Sequence, residues 1–195
     1  ARIFLMDGRQ YRSDQACGDG RKAVPCGDWA DPARTMLGAR QEQWLARGLA
    51  ASRTRWQVLA NQVMLAPFDS QAGPAVTTSM DQWSGYPAAR DRLLDTIARH
   101  APNRTVVLTG DIHSNWVNEL HAGFARPGRP VVAAEFVGTS ISSGGDGSDR
   151  NLVATPSMMS DNPHVKWQSN RRGYLSCRVT PDSWFSDYRT VAYVR

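Results

Sequence analysis

Three short apolar runs, separated by two amphipathic stretches, organise the first half of the chain. "RIFLMD" reads as a buried strand that starts almost at the first residue. A core strand without a lead-in suggests that polypeptide upstream belongs to the same unit. In "TMLGARQEQWLARGLAAS", Leu37, Trp44, Leu45 and Leu49 recur at helical spacing, with Gln and Arg between them. "RWQVLANQVMLAP" predicts a second buried strand, stopped by Pro67. Pro87 suits the first turn of a helix over "AARDRLLDTIARHA", whose apolar stripe is Leu93, Leu94, Ile97 and Ala101. "RTVVLTGD" is the third strand. Two helix–strand alternations in a row argue for an α/β layered sheet with its strands buried on both faces.

Beyond Asp111 the pattern changes. "VNELHA", "PVVAAEFVGT", "RGYLSCRVT" and "SWFSDYRTVAYV" are strand-like, with no helical pattern of comparable length between them. "DQACGDGRKAVPCGDWADPART", "FDSQAGPAVTTSMDQWSGYP" and "SISSGGDGSDRN" read as loops. A length of 195 residues fits one domain.

Charge and cysteines narrow the partners. Lys and Arg exceed Asp and Glu by 23 − 18 = 5, a balance that attracts anionic substrates. The Arg residues are scattered and form no basic run, so nucleic acid is not expected as a stable partner. No stretch approaches the roughly 20 apolar residues that span a bilayer. The opening "ARIFLMDGRQYR" lacks the features of a signal peptide. Cys17 and Cys26 flank "GDGRKAVP"; they close a short disulfide, or stay free thiols, or give half of a metal site. A disulfide would point outside the cytoplasm. Cys177, in "GYLSCRVT", is expected to be a buried thiol.

The chemistry concentrates in "RTVVLTGDIHSNW". Ligands of α/β sheets gather outside the carboxyl ends of the strands, and Asp111 and His113 stand at such an end. Residues i and i+2 point the same way while the chain stays extended. Carboxylate and imidazole together suit a borderline or hard cation that polarises a phosphoryl oxygen or activates water. The competing account has Asp111 capping the next turn and His113 satisfied in the core. Weaker candidates for substrate contact are Asn61 and Gln62, which also suit core or turn amides. Trp83 and Tyr86 in "DQWSGYP" suit either a substrate groove or packing of their own loop. Arg9 and Arg12 suit pairing either with phosphate or with Asp7 and Asp14, and salt bridging is the expected reading. "SSGGDG" precedes no helix and lacks a Lys, which makes it a poor phosphate cradle. His100, His121 and His164 have no ligand spacing and are expected to be surface or structural residues.

Several segments in one order carry a resemblance. "DGRQYRSDQACGDG", "RTMLGARQEQWL", "WQVLANQVMLAP", "SMDQWSGYPAARDRLL", "LDTIARHAPNRTVVLTGDIHSNWVNEL", "VVAAEFVGTSISSGG" and "NPHVKWQSNRRGYLSCRVTPDSWFSDYRTV" together resemble the carboxy-terminal half of the PhoD-type alkaline phosphatases and phosphodiesterases. The resemblance implies an α/β fold, part of a four-layer metallophosphoesterase sandwich of two mixed sheets flanked by helices. Residues 1–195 would then be the carboxy-terminal portion of a single catalytic domain, incomplete without an amino-terminal half. It implies hydrolysis of phosphomonoesters and phosphodiesters by a metal-activated hydroxide attacking phosphorus, with iron and calcium as cofactors. Asp111 would serve the calcium side and His113 the iron side, and both would be catalytic.

The family's other metal ligands lie upstream of the segment written here "DGRQYR", where Gly8 replaces the usual Thr. "CGDG" and "CGDW" lack the Tyr three residues after Asp that a substitute would need. An amino-terminal fragment of the same enzyme is therefore the expected partner, beside the phosphate ester substrate. The resemblance also implies a bacterial secreted or periplasmic protein. The rival enzyme reading is a phospholipase D of the same family, touching a membrane surface transiently. The rival of another class is a truncated binding or assembly module without turnover.

Overall fold

The computed structural model describes residues 1–18, 24–124 and 128–194. Strands β1 (Arg2–Leu5), β2 (Gln57–Ala60) and β3 (Thr105–Thr109) lie side by side and parallel. Helices α1 (Ala39–Ala51) and α2 (Pro87–His100) make the crossovers between them, as the alternating pattern predicts. Beyond β3 come β4 (Asn115–His121), β5 (Val131–Val137), β6 (Gly147–Ser148) and β7 (Val165–Arg171). Together they form a mixed seven-stranded sheet in the order β1-β2-β3-β5-β4-β7-β6. A six-residue helix, α3 (Pro156–Asp161), precedes β7. β8 (Gly173–Val179) and β9 (Trp184–Thr190) pair only with each other. The mixed α/β fold with two sheets is the expected class.

Both helices cover one face of the parallel strands. Leu45, Leu49, Leu93, Leu94 and Ile97 are buried there with Phe4, Leu59 and Val107. α1 approaches closely because Gly48 faces Phe4, whose ring would lie 2.4 Å from any Cβ at that position. The opposite face receives the β8–β9 hairpin. Trp56 Nε1 donates to the Thr180 carbonyl at 2.7 Å and its ring meets Trp184 edge-on. Tyr188 donates its hydroxyl proton to the Trp116 carbonyl at 2.6 Å.

Three expectations need correction. β1 is not buried on both faces, since Ile3 and Leu5 are 68% and 75% exposed; the hairpin docks over Trp56 and Trp116 and leaves the outer strand open. The second apolar run is strand only as far as Ala60. Residues beyond it turn inward because Glu135, on β5, takes the N–H groups of Leu65 and Ala66 at 2.7 and 2.9 Å. Cys177 is exposed, because a two-stranded hairpin cannot cover both of its own faces. Cys17 and Cys26 form a disulfide. Part of the loop between them, residues 19–23 and with them the Asp of "CGDG", lies outside the described residues.

Glu135 is fully buried and also accepts from Thr109 Oγ1 at 2.8 Å and Asn118 Nδ2 at 3.0 Å. Burial pushes its pKa up, and these four donors oppose that. His164 is likewise inside, with Nε2 2.6 Å from the Pro67 carbonyl and its ring against Phe124. Burial lowers its pKa from 6.5 to about 4, against the effect of that hydrogen bond.

Glu135→Ala strands four donors in the core, so it should destabilise the fold by about 3 kcal/mol or more in denaturant titrations, well beyond Glu135→Gln. Equal losses for the two variants would mean that the acceptors do not matter. For His164 the folded pKa is depressed, so the unfolded chain takes up the proton first. Its contribution is complete above pH 6.5 and is lost as pH falls toward 4. His164→Gln keeps a donor for Pro67 but does not titrate. The stability gap between wild type and this variant should move in the variant's favour over that window by up to about 3 kcal/mol. A gap independent of pH would show that His164 takes up its proton at the same pH in the native and unfolded states.

Candidate active site

β3 ends at Thr109, and the chain then leaves the extended conformation altogether. Asp111 and His113 both have left-handed backbones, with φ of 72° and 56°. Such residues are uncommon, and each costs roughly 1–3 kcal/mol unless its surroundings hold it. The i, i+2 alignment expected of an extended strand therefore does not apply. The turn nevertheless brings both side chains to one open cleft of about 720 Å³, whose walls include Arg9, Asp81, Ser114 and Asn170.

Two arginines and two carboxylates form one wall. Arg9 reaches Asp81 at 2.7 Å with Nη1 and Asp111 at 3.2 Å with Nη2. Arg12 reaches the same Asp81 carboxylate at 2.9 Å, and Gln15 donates to it at 3.0 Å. Burial pushes the Asp81 carboxyl up, but the hydrogen bonds and charges of Arg9 and Arg12 outweigh it and hold its pKa below the usual value. Arg9 and Arg12 thus do not pair with Asp7 and Asp14 as expected. The Asp7 carboxylate is occupied by the backbone N–H groups of Arg9 and Gln10, which turns the chain toward the cleft. Asp81 carried no signal in "SMDQW"; only the tertiary fold brings it to the arginines.

The floor is built around His113. Its carbonyl accepts from Arg172 Nη1, and its Nδ1 lies 3.5 Å from the Ser143 hydroxyl. The "SSGGDG" segment thus meets the imidazole through Ser143, and nothing in its sequence announced that contact.

The four weaker candidates lie elsewhere. Asn61 is buried, donates to the Val63 carbonyl at 2.7 Å and accepts from Trp83 Nε1 at 3.3 Å. Gln62 clamps the Met6 carbonyl and the Gly8 N–H. Trp83 and Tyr86 are buried in the main core, where the Tyr86 hydroxyl donates to the Ser13 carbonyl at 2.7 Å. All four side chains are engaged in holding loops, and none lines the cleft. His121 stacks edge-on against Phe124 and contacts the Arg129 carbonyl, a structural placement like that of His164.

For a cation, Asp111 and His113 supply one carboxylate and one imidazole, the donor types of a hard or borderline ion. Their number is insufficient. No group of three or more His, Cys, Asp or Glu that could hold a metal exists among the described residues, and catalytic sites usually take three protein ligands. The local positive charge opposite Asp111 is Arg9, so a cation bound to that carboxylate would have to share or displace the guanidinium.

The family model for PhoD-like phosphatases matches residues 1–188. The chain belongs to the PhoD-like phosphatase family. It is 43% identical over 194 residues to alkaline phosphatase D of Bacillus subtilis (strain 168), covering all of this chain and 33% of that protein. A solved structure of PhoD superposes on 98% of this chain, with a TM-score of 0.91 and 41% identity, and the match covers 36% of that protein. The chain thus spans about one third of the length of these PhoD relatives.

The Arg9 pairs are half exposed, and such pairs contribute less than about 1 kcal/mol. Arg9→Gln should therefore leave the denaturation midpoint nearly unchanged. A loss well above 1 kcal/mol would show that the wall of this PhoD-like cleft depends on the bridge.

Proposed function

We propose that this chain carries the Asp111–His113 part of a metal-dependent phosphoric ester hydrolase acting on phosphomonoesters and phosphodiesters. One observation carries the reading. A carboxylate and an imidazole are held in left-handed backbone at the carboxyl end of β3, facing one cleft, in a chain whose family is that of the PhoD-like phosphatases. The arginine-lined wall supports an anionic substrate.

Iron and calcium are the metals we assign, with the hard Asp111 carboxylate on calcium and the His113 imidazole on iron. When bound, such ions supply Lewis acidity toward the phosphoryl group and lower the pKa of water. The chain's own residues supply the rest. Asp111 and His113 present donors from a fixed turn, and Ser143 engages the ring Nδ1. Arg9 places a guanidinium beside the cleft, where it would suit a phosphoryl oxygen. Asp81 has Arg12 as a second counter-charge beside Arg9.

Two donors do not complete a site, so the remaining ligands are assigned to further polypeptide of the same enzyme, placed amino-terminal to these residues or supplied as a second chain. The open apolar residues Ile3 and Leu5 support such a partner. The Cys17–Cys26 disulfide supports a secreted or periplasmic location.

The test is hydrolysis of bis(p-nitrophenyl) phosphate by the intact protein, with metals counted by mass spectrometry. Loss of residues that merely orient metal ligands costs about 10–100-fold. Asp111→Asn and His113→Gln should reach the upper end of that range in kcat/KM or exceed it, with melting temperatures held and bound metal reduced. Full activity in either variant would sink the assignment. Turnover of phosphatidylcholine vesicles in preference to the diester would move the reading to phospholipase D. A metal-free wild type without turnover would leave a binding or assembly module.

A further inference from the structure

Arg172 is 5% exposed, yet no carboxylate lies within ion-pair distance of it among the described residues. A buried guanidinium without a counter-ion is costly unless its donors are met. Here Nε and Nη1 are met by oxygens from three parts of the chain. Nη1 donates to the His113 carbonyl, to Thr139 Oγ1 at 3.2 Å and, at 3.5 Å, to the Asn170 carbonyl. Nε donates to the Gly145 carbonyl at 3.0 Å. Gly144 lies against the same group; with φ of 81°, its absent Cβ would sit 3.0 Å from Arg172 Nη2.

These contacts are specific to the site. His113 is one of two non-glycine residues in the "GDIH" turn with left-handed backbone, and such a conformation persists only where neighbours over-determine it. Arg172 grips the carbonyl of that residue. Through Gly145 it also fixes the loop that carries Ser143, whose hydroxyl faces His113 Nδ1. Ser140 adds a brace inside the loop, donating to the Ser143 carbonyl at 2.7 Å. Backbone and ring of His113 are thus referred to one planar, rigid cation. A lysine at this position would offer a single ammonium on a flexible stem and could not hold His113 and Gly145 in the same fork geometry.

We infer that Arg172 is a positioning residue for His113, setting the backbone conformation and the ring orientation with which the imidazole meets the cleft. The inference rests on the reading of His113 as a metal-site residue. Its structural content does not depend on activity.

The test uses the intact enzyme with Arg172→Met and Arg172→Lys. Crystal structures of both variants, prepared without added metal, should show His113 leaving the left-handed region and the 140–145 loop shifted away from it. Chelator competition should show metal held about 10–100-fold more weakly, the cost of losing a residue that orients a ligand. kcat should fall by a similar factor with KM changed less than about threefold, and Arg172→Lys should recover only part of the loss. His113 unmoved in both variants, or metal retention within about twofold of wild type, overturns the inference. If both variants melt more than about ten degrees below wild type, Arg172 serves the whole fold and the inference also fails. If wild type neither binds metal nor hydrolyses the diester, the functional reading falls, and the crystal structures alone decide the role of Arg172.

Discussion

The cleft depends on a carboxylate that never reaches it. Glu135 sits inside the sheet on β5 and collects four donors, from the 63–66 segment, from Thr109 at the end of β3 and from Asn118 on β4. Satisfying an acidic group in the core requires all of them, because an unmet lone pair or an unmet N–H there costs more than the hydrogen bond contributes. The result is a knot that fixes where β3 stops. Thr109 is held two residues before Asp111, so the strained turn starts from a rigid point rather than a fraying strand end.

Electrostatics on the two sides of the turn then divide the labour. On the solvent side, Arg9 and Arg12 share Asp81, and Arg9 extends to Asp111. These pairs are partly exposed and adaptable, which suits groups that change partners when a cation or an anion arrives. On the inner side, Arg172 is buried and bound to backbone and hydroxyl oxygens alone. That arrangement resists rearrangement, since moving it strands a full charge in the interior. A partly exposed arginine above the donors and a buried one beneath them give the site a solvent-facing wall on an inner floor.

Much of the frame was legible in the sequence because period and punctuation agree there. Leu93, Leu94 and Ile97 behind Pro87 could only be the buried stripe of a helix, and α2 begins at that proline. The position of Asp111 and His113 just past a strand end was legible for a similar reason: a run of apolar residues that ends abruptly in polar ones marks the end of a strand. What escaped was tertiary. The run from Trp56 to Pro67 looks uniformly strand-like, and only the Glu135 carboxylate, some seventy residues away, makes its second half turn inward. Arg172 reads as one of two adjacent arginines in "SNRRGYL"; its separation from every carboxylate of the described residues exists only in the folded chain. Trp83 and Tyr86 carried the opposite ambiguity, since a ring that can line a groove packs equally well in a core.

The open apolar strand and the two-donor turn meet at one edge of the sheet. β1, β2 and β3 run parallel, so their carboxyl ends share one edge of the sheet. β1 is the outermost of them, and only three residues separate Leu5 from Arg9 on the cleft wall. A further strand added in parallel beside β1 would finish at that same edge, as parallel strands in α/β sheets do, and its following loop would deliver side chains to the cleft. On the function proposed above, cover for Ile3 and Leu5 and additional ligands opposite Asp111 would come from one piece of polypeptide. Hydrophobic burial would drive its docking, and the geometry of the sheet would aim its donors.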